Sequence, residues 1–196
     1  MYSDFCQYLH SFEAFSTSEL ATIQDALSLL EVPAQHNLVA HGQPATHIYF
    51  IRQGLVRIFY IVDGEEKTLF VAPEYHFIGS LESMVAQQPS MQYVQTLEPS
   101  VLLALPYTAL LELYERVPRL NAFVRKLLEQ RMIHVQQLLY THITHTHEQR
   151  YRWLLSTQAE LLQRVPLHIL ATFLGITPVS LSRIRRRLAE RPDTDH

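Results

Sequence analysis

Residues 166–188, PLHILATFLGITPVSLSRIRRRL, have the spacing of two short helices joined by a tight turn. The predicted first helix, Leu167–Leu174, is followed by Gly175, which can adopt the positive φ that a sharp turn requires. Thr177 then supplies a side-chain oxygen that caps a second helix, Pro178–Arg187. The proline of that helix stands in its first turn, where a backbone N–H is not needed.

The two predicted helices have the packing of a helix-turn-helix unit. Leu170, Leu174, Leu181 and Ile184 face inward, and the small Ala171 stands where the two helices cross closely. The outer face of the second helix is basic and carries short side chains at its N-terminal end, which suits the major groove of DNA. We expect DNA contacts from Thr177, Val179, Ser180, Ser182, Arg183, Arg186 and Arg187.

The charge of the chain is unevenly distributed. Residues 1–116 contain 4 Lys or Arg and 13 Asp or Glu, a net charge of -9, whereas residues 117–196 contain 12 and 6, a net charge of +6. A basic half is the natural partner of a polyanion. The charge distribution therefore agrees with double-stranded DNA as a partner of the C-terminal part.

The N-terminal part has the pattern of an antiparallel β structure. Short apolar runs separated by turn residues fill residues 32–105, and Asp63-Gly64 is a strong hairpin signal. This spacing favours a sandwich or barrel. A helix is expected before it, around Ser18–Leu30, with Ser16 or Thr17 as its N-cap. The predicted strands include Leu38-Val39, Ile48–Ile51, Leu55–Ile61, Thr68–Val71, Tyr93–Thr96 and Val101–Leu105.

A long helical region follows, because residues 119–165 contain no Gly or Pro. A stripe with heptad-like spacing runs through it, and we expect this stripe to pack against a second copy of the chain, with packing on its own domain as the alternative. Polar Thr141–Glu148 predicts a hinge or break. The predicted domains are 1–116, 117–147 and 148–196. The stripe consists of Val124, Leu128, Arg131, Val135, Leu138 and His142.

Several classes of protein are excluded. No run of about 18 apolar residues suggests a membrane span, and the single Cys6 cannot form an internal disulfide, so we expect a cytoplasmic protein. The His-x-His pattern of cupin enzymes is missing, and we expect no enzyme activity. The cluster of His142, His145 and His147 lacks further ligands nearby, and we expect no metal there.

With these features in order, the chain resembles the Crp/Fnr family of dimeric bacterial regulators over nearly its whole length. The glycine-punctuated strands, the long helix and the terminal helix-turn-helix carry the resemblance, and residues 175–188 resemble a subgroup common in Bacteroidetes. The resemblance implies an α+β fold: an N-terminal antiparallel jelly roll of the cyclic-nucleotide-binding type, a dimerisation helix and a C-terminal all-α DNA-binding domain. It also implies a homodimer that acts with RNA polymerase.

The effector cassette, residues 78–92, departs from the pattern of cyclic-nucleotide binders. Ser80 stands where those proteins carry Glu, Ser90 replaces the phosphate-binding Arg, and Met91 replaces a Ser. A buried phosphate without a cation is costly, so we expect weak or absent cyclic AMP binding and no cofactor. The residues leave open whether another small molecule binds or the pocket is filled. Its candidate lining is Gly79, Ser80, Leu81, Ser83, Ser90, Met91, Gln92, Val135 and Gln136.

The predicted DNA-contacting helix also departs from the catabolite activator pattern. Regulators of that type use Arg, Glu and Arg to contact bases, and here these positions are Pro178, Val179 and Arg183, of which only Arg183 matches. The sequence ends soon after this helix, so we expect no C-terminal β-hairpin wing. The alternative to a DNA-binding regulator is a small-molecule-binding module that acts on a protein partner.

Overall fold

The computed structural model describes residues 2–190 of the 196-residue chain. An N-terminal β domain is preceded by two helices and followed by a helical region. The helices are α1 Ser3–His10, α2 Thr17–Asp25, α3 Leu81–Ala86, α4 Tyr107–Arg116, α5 Arg119–Thr144, α6 His147–Thr157, α7 Ala159–Arg164, α8 Leu167–Leu174 and α9 Pro178–Glu190. The strands are β1 Ser28–Val32, β2 Asn37–Val39, β3 His47–Gln53, β4 Val56–Val62, β5 Glu65–Ala72, β6 Phe77–Ile78, β7 Tyr93–Thr96 and β8 Ser100–Pro106.

The strands form two four-stranded sheets, in the orders β1-β8-β3-β6 and β2-β7-β4-β5, and all the strand pairs are antiparallel. The inward faces bury one apolar core, which includes Ile51, Val56, Val94 and Leu102. The predicted jelly roll is confirmed. Asp63 and Gly64 both have positive φ, 54° and 78°, as a tight hairpin turn between β4 and β5 requires.

The expected helix around Ser18–Leu30 is only partly correct. It begins as predicted, because the Ser16 side chain accepts from the backbone N–H of Glu19 and the Glu19 side chain accepts from the N–H of Ser16. It ends at Asp25, and residues 28–32 instead form strand β1. Strand β1 pairs with β8, 70 or so residues away in the chain, and this distant pairing outweighs the local helix preference of the leucines.

An aromatic cluster fixes the long helix α5 against the β domain. Rings from α1, β3, β6 and α5 meet edge to face, with centroids 5.1 Å apart for Phe5 and Phe50 and 6.0 Å for Phe77 and Phe123. Helix α5 therefore has one face on its own domain.

The predicted break after α5 is confirmed. Helix α5 ends at Thr144, and Thr146 opens α6 with a capping box in which its side chain accepts from the N–H of Gln149. Within residues 2–190, no single helix is long and apolar enough to cross a membrane, although α8 and α9 meet those limits jointly as a bent pair. The expected absence of a C-terminal wing concerns residues after Glu190, which lie outside the described residues.

Candidate nucleic-acid interface

Helices α8 and α9 and the turn between them follow the sequence prediction closely. Gly175 has φ +67°, and a Cβ atom added there would lie 3.1 Å from the Arg150 guanidinium. The Thr177 side chain accepts from the backbone N–H of Ser180 at 3.2 Å and so caps α9, which continues to Glu190, three residues past the predicted end. The two helices lie at 96° to each other, within the usual range for a helix-turn-helix.

The inward and outward faces of this helix pair are clearly separated. Leu170, Ala171, Leu174, Leu181 and Ile184 are buried in one apolar cluster, as predicted. The candidate DNA-contacting residues lie on the other face: Thr177, Val179, Ser182, Arg183, Arg186 and Arg187 are exposed, and Ser180 is half-buried. The structure thus brings all seven to one accessible surface of α9 and the turn before it.

The arginines of α9 differ in how they are held. Arg187 forms an ion pair with Glu148 at the start of α6, and Arg186 lies 3.9 Å from Glu190 one turn further along. Within residues 2–190, Arg183 and Arg185 have no ion pair with a carboxylate, so their guanidinium groups are available to an external anion. Arg183 lies nearer the N-terminal end of the helix, which is the part that enters the groove in helix-turn-helix proteins.

The helix pair is docked on the β domain. Helix α8 packs along β5, where the hydroxyl oxygens of Thr172 and Thr68 lie 2.9 Å apart, and Leu55 and Val71 of the β domain join the apolar cluster of the C-terminal helices. This packing leaves the outer face of α9 exposed to solvent.

An ion-pair network strengthens the same contact. Arg164, at the end of α7, donates two hydrogen bonds to Glu74, at 2.8 and 2.9 Å, and another to Glu98. These bonds hold the pKa of Glu74 at about 2, well below its ordinary 4.5, although partial burial opposes the change. A further stabilising bond comes from the backbone N–H of Gly54, which donates to Glu74 at 2.9 Å.

The effector cassette is closed by its own hydrogen bonds. The Ser80 and Ser90 hydroxyl oxygens lie 2.8 Å apart, Ser90 donates to the carbonyl of Gln92 at 2.9 Å, and Ser83 accepts from the N–H of Ala45. All four cassette side chains, Ser80, Ser83, Ser90 and Gln92, are buried. The serines that replace the charged residues of nucleotide binders therefore satisfy one another.

The remaining members of the proposed effector set do not line this buried network. Leu81, Met91, Val135 and Gln136 are exposed, and a Cβ on Gly79 would lie 3.1 Å from the His47 carbonyl oxygen. The chain has no Lys or Arg between Lys67 and Arg116. Arg57 on β4 is buried and is held by Glu66 and Gln95.

Helix α5 carries two apolar faces, and the predicted dimer stripe mixes them. Arg131 and Leu138 face the chain's own core, where Leu138 packs on the C-terminal cluster, and Val124 packs on the aromatic cluster. Leu128 and Val135 point outward. The outward stripe, 45–74% exposed, consists of Leu128, Met132, Val135, Leu139 and Ile143.

The three clustered histidines lie at the junction after α5, and His142 bonds across it. The ring nitrogens of His142 lie 2.9 Å from the Leu138 carbonyl oxygen and 3.3 Å from that of Phe173 in α8. His145 is the C-cap of α5, and His147 begins α6. Among residues 2–190, no group of three or more His, Cys, Asp or Glu side chains is placed to hold one metal ion.

Residues 29–117 match the family model described as the cyclic nucleotide-binding domain. The chain is similar to the solved structure of the c-di-GMP responsive global regulator CLP of Xanthomonas campestris, with 18% identity, coverage of 89% of this chain and 92% of that one, and a TM-score of 0.72. For DNR of Pseudomonas aeruginosa the identity is 26%, the coverage 98% and 89%, and the TM-score 0.55.

A putative transcriptional regulator of the Crp/Fnr family from Eubacterium rectale is also similar, with 14% identity, coverage of 90% and 85%, and a TM-score of 0.70. A comparison with curated protein sequences gave no significant match. The matched domain model is named for cyclic nucleotide binding, and the structures from Xanthomonas campestris and Eubacterium rectale are described as regulators.

Proposed function

We propose that this chain, which joins a cyclic nucleotide-binding domain to a helical pair in the fold of Crp/Fnr regulators, is a transcription regulator that binds specific DNA sequences. The observation that carries the proposal is the exposed basic face of α9, held at 96° to α8 by a buried apolar cluster. A rigid helix that presents arginines beyond a capped N-terminus is suited to the major groove.

Base recognition is assigned to Arg183. Its guanidinium group is free of carboxylates in the described part of the chain, and a planar group of this kind pairs with two acceptors of guanine. Val179, which is exposed in the first turn of α9, offers an apolar contact to a thymine methyl group. The other arginines, Arg186 and Arg187, are assigned to phosphates.

The proposed regulator is a homodimer. Five large apolar side chains on α5 are spaced by four, three, four and four residues and lie outward, which is a seam typical of paired helices. A two-fold dimer would present two α9 helices to half-sites about 34 Å apart. Contact with RNA polymerase, a cytoplasmic location and the likeness of residues 175–188 to a Bacteroidetes subgroup remain predictions from the resemblance.

The proposed regulator does not respond to cyclic AMP. The cassette offers no cation to the cyclic phosphate, and its serines are bonded to one another, so entry of the nucleotide would break these bonds without replacing them.

Selection of duplexes from a random pool by the full chain tests the proposed function. The expected result is enrichment of a pseudo-palindromic sequence with two half-sites one helical turn apart. Recovery of unrelated sequences after repeated rounds would contradict it.

A further inference from the structure

A cavity lies between the β domain, α5 and α7. Its volume is about 910 Å³, and its walls are mostly apolar, including Phe5, Phe77 and Phe123 of the aromatic cluster. This size is in the range of cavities that hold small organic ligands. Part of its wall comes from the effector cassette, because Gly79, Leu81 and Met84 line it. The buried cassette serines Ser80 and Ser90 are bonded to each other and are not among the lining residues.

One cation faces this apolar cavity without a counter-charge. The guanidinium carbon of Arg131 lies 3.8 Å above the centre of the Phe70 ring, and within residues 2–190 this stacking is the contact that holds it, because no carboxylate forms an ion pair with it. Glu160 is the one carboxylate among the described cavity-lining residues, and it is exposed. A partly buried charge without a partner is costly, which indicates a place for an external anion.

The neighbouring side chains add neutral hydrogen-bonding groups beside the Arg131 guanidinium. The His134 ring meets the Phe70 ring edge to face at 5.9 Å, and burial, Arg131 and His76 lower the pKa of His134, so it is a neutral donor near pH 7. Burial also lowers the pKa of Arg131, although a guanidinium keeps its proton in proteins. Tyr8 adds a hydroxyl to the same wall.

We propose that this cavity binds a hydrophobic monocarboxylic acid, with its carboxylate on Arg131 and its apolar body along the aromatic walls. A single fixed cation balances one negative charge, and the planar guanidinium matches the two oxygens of a carboxylate. A phosphate ester, with nearly two charges, would remain unbalanced there. An occupant would contact the β domain, α5 and α7 together, because all three line the cavity.

Calorimetric titration of the full chain with dodecanoate and with dodecan-1-ol tests this proposal. The two probes share their chain and differ in charge, so the site requires dodecanoate to bind at least about tenfold more tightly than the alcohol. Equal affinities, or no binding of dodecanoate up to about 1 mM, would overturn it. This comparison needs no variant and no DNA.

Two variants test whether Arg131 is the cation that binds the carboxylate. Arg131→Gln keeps most of the side-chain stem, and we expect it to weaken dodecanoate binding about tenfold or more and to leave dodecan-1-ol unchanged. The matched control is Arg125→Gln, on the exposed side of α5 and paired with Glu129, which leaves both affinities as they are. An Arg131→Gln protein that unfolds as the wild type does and still binds dodecanoate fully would contradict the assignment.

Discussion

Arg164 and Glu74 form a two-bonded ion pair that joins the C-terminal helices to the β domain, with N–O distances of 2.8 and 2.9 Å. Two parallel hydrogen bonds between a guanidinium and a carboxylate are stronger than the single contacts common at surfaces. Glu74 also accepts from the backbone of Gly54, so the pair is anchored in the turn between β3 and β4.

The first prediction concerns this pair. Glu74→Gln removes the charge and keeps an acceptor, and we expect it to lower the free energy of unfolding by about 1–2 kcal/mol at pH 7, measured by urea denaturation. The matched control is Glu129→Gln, because Glu129 is in an exposed pair with Arg125. This control should change the free energy of unfolding by less than about 0.5 kcal/mol.

The same pair gives a pH dependence with a definite sign. The pKa of Glu74 in the folded chain is about 2, below its ordinary 4.5, so its stabilising effect is fully present above pH 4.5 and is lost as the pH falls toward 2. The difference in unfolding free energy between wild type and Glu74→Gln should therefore shrink over that window. A difference that stayed constant down to pH 2 would contradict this account.

The second prediction tests the turn between α8 and α9. Gly175→Ala places a Cβ on a residue with φ +67°, and we expect a loss of about 1–2 kcal/mol in unfolding free energy together with weaker DNA binding. Asparagine tolerates positive φ, so Gly175→Asn should lower the unfolding free energy clearly less than Gly175→Ala. Equal losses for the two variants would assign the effect to contact with Arg150 rather than to backbone conformation.

The third prediction tests the outward face of α5. Leu139→Glu places a charge in the middle of the apolar stripe, and we expect dimerisation to weaken at least about tenfold in light scattering coupled to gel filtration. Gln137→Glu is the matched control, because Gln137 is exposed on another side of α5. A Leu139→Glu protein that remained fully dimeric at low micromolar concentration would disprove the stripe as the interface.

The fourth prediction concerns the effector cassette. Cyclic AMP should produce no binding heat with the wild-type chain at about 100 μM nucleotide, because no cation in the cassette can balance the phosphate. Cyclic GMP carries the same phosphate and should behave in the same way. Micromolar affinity for either nucleotide would show that the Ser80–Ser90 contact opens readily.

Local chemistry explains which parts of this fold could be predicted from the sequence. Asp63-Gly64 and Gly175 mark turns because their own backbone angles decide the structure, and Thr177 caps α9 through residues three positions away. Strand β1 is not predicted from the sequence, because its structure depends on pairing with β8, far along the chain. Such a pairing leaves no local signal in Leu29 and Leu30.

The two faces of α5 show a second limit of prediction from the sequence. Both faces are apolar enough to pack, and spacing alone does not say which one contacts the β domain. Heptad spacing predicts Arg131 on the dimer stripe, but its guanidinium group stacks on Phe70 of the same chain. The cavity beside it could not be predicted either, because its walls come from separate parts of the chain.

The fifth prediction separates base contacts from phosphate contacts on α9. Arg183→Ala should weaken binding to the selected duplex by about 1–3 kcal/mol and relax its base preference, whereas Arg186→Ala should weaken binding to all duplexes alike and reduce the salt dependence. Fluorescence anisotropy with matched and single-substituted duplexes measures both effects. Arg125→Ala, on α5, is the control and should change neither.

The central claim, sequence-specific DNA binding through α9, is tested most directly by the affinity of the wild-type chain for a selected duplex and for a scrambled duplex of equal length. We predict that the selected duplex binds at least about a thousandfold more tightly at about 150 mM salt, and that the affinity falls steeply as salt rises. Equal affinity for the two duplexes, or no binding to either, would contradict the claim.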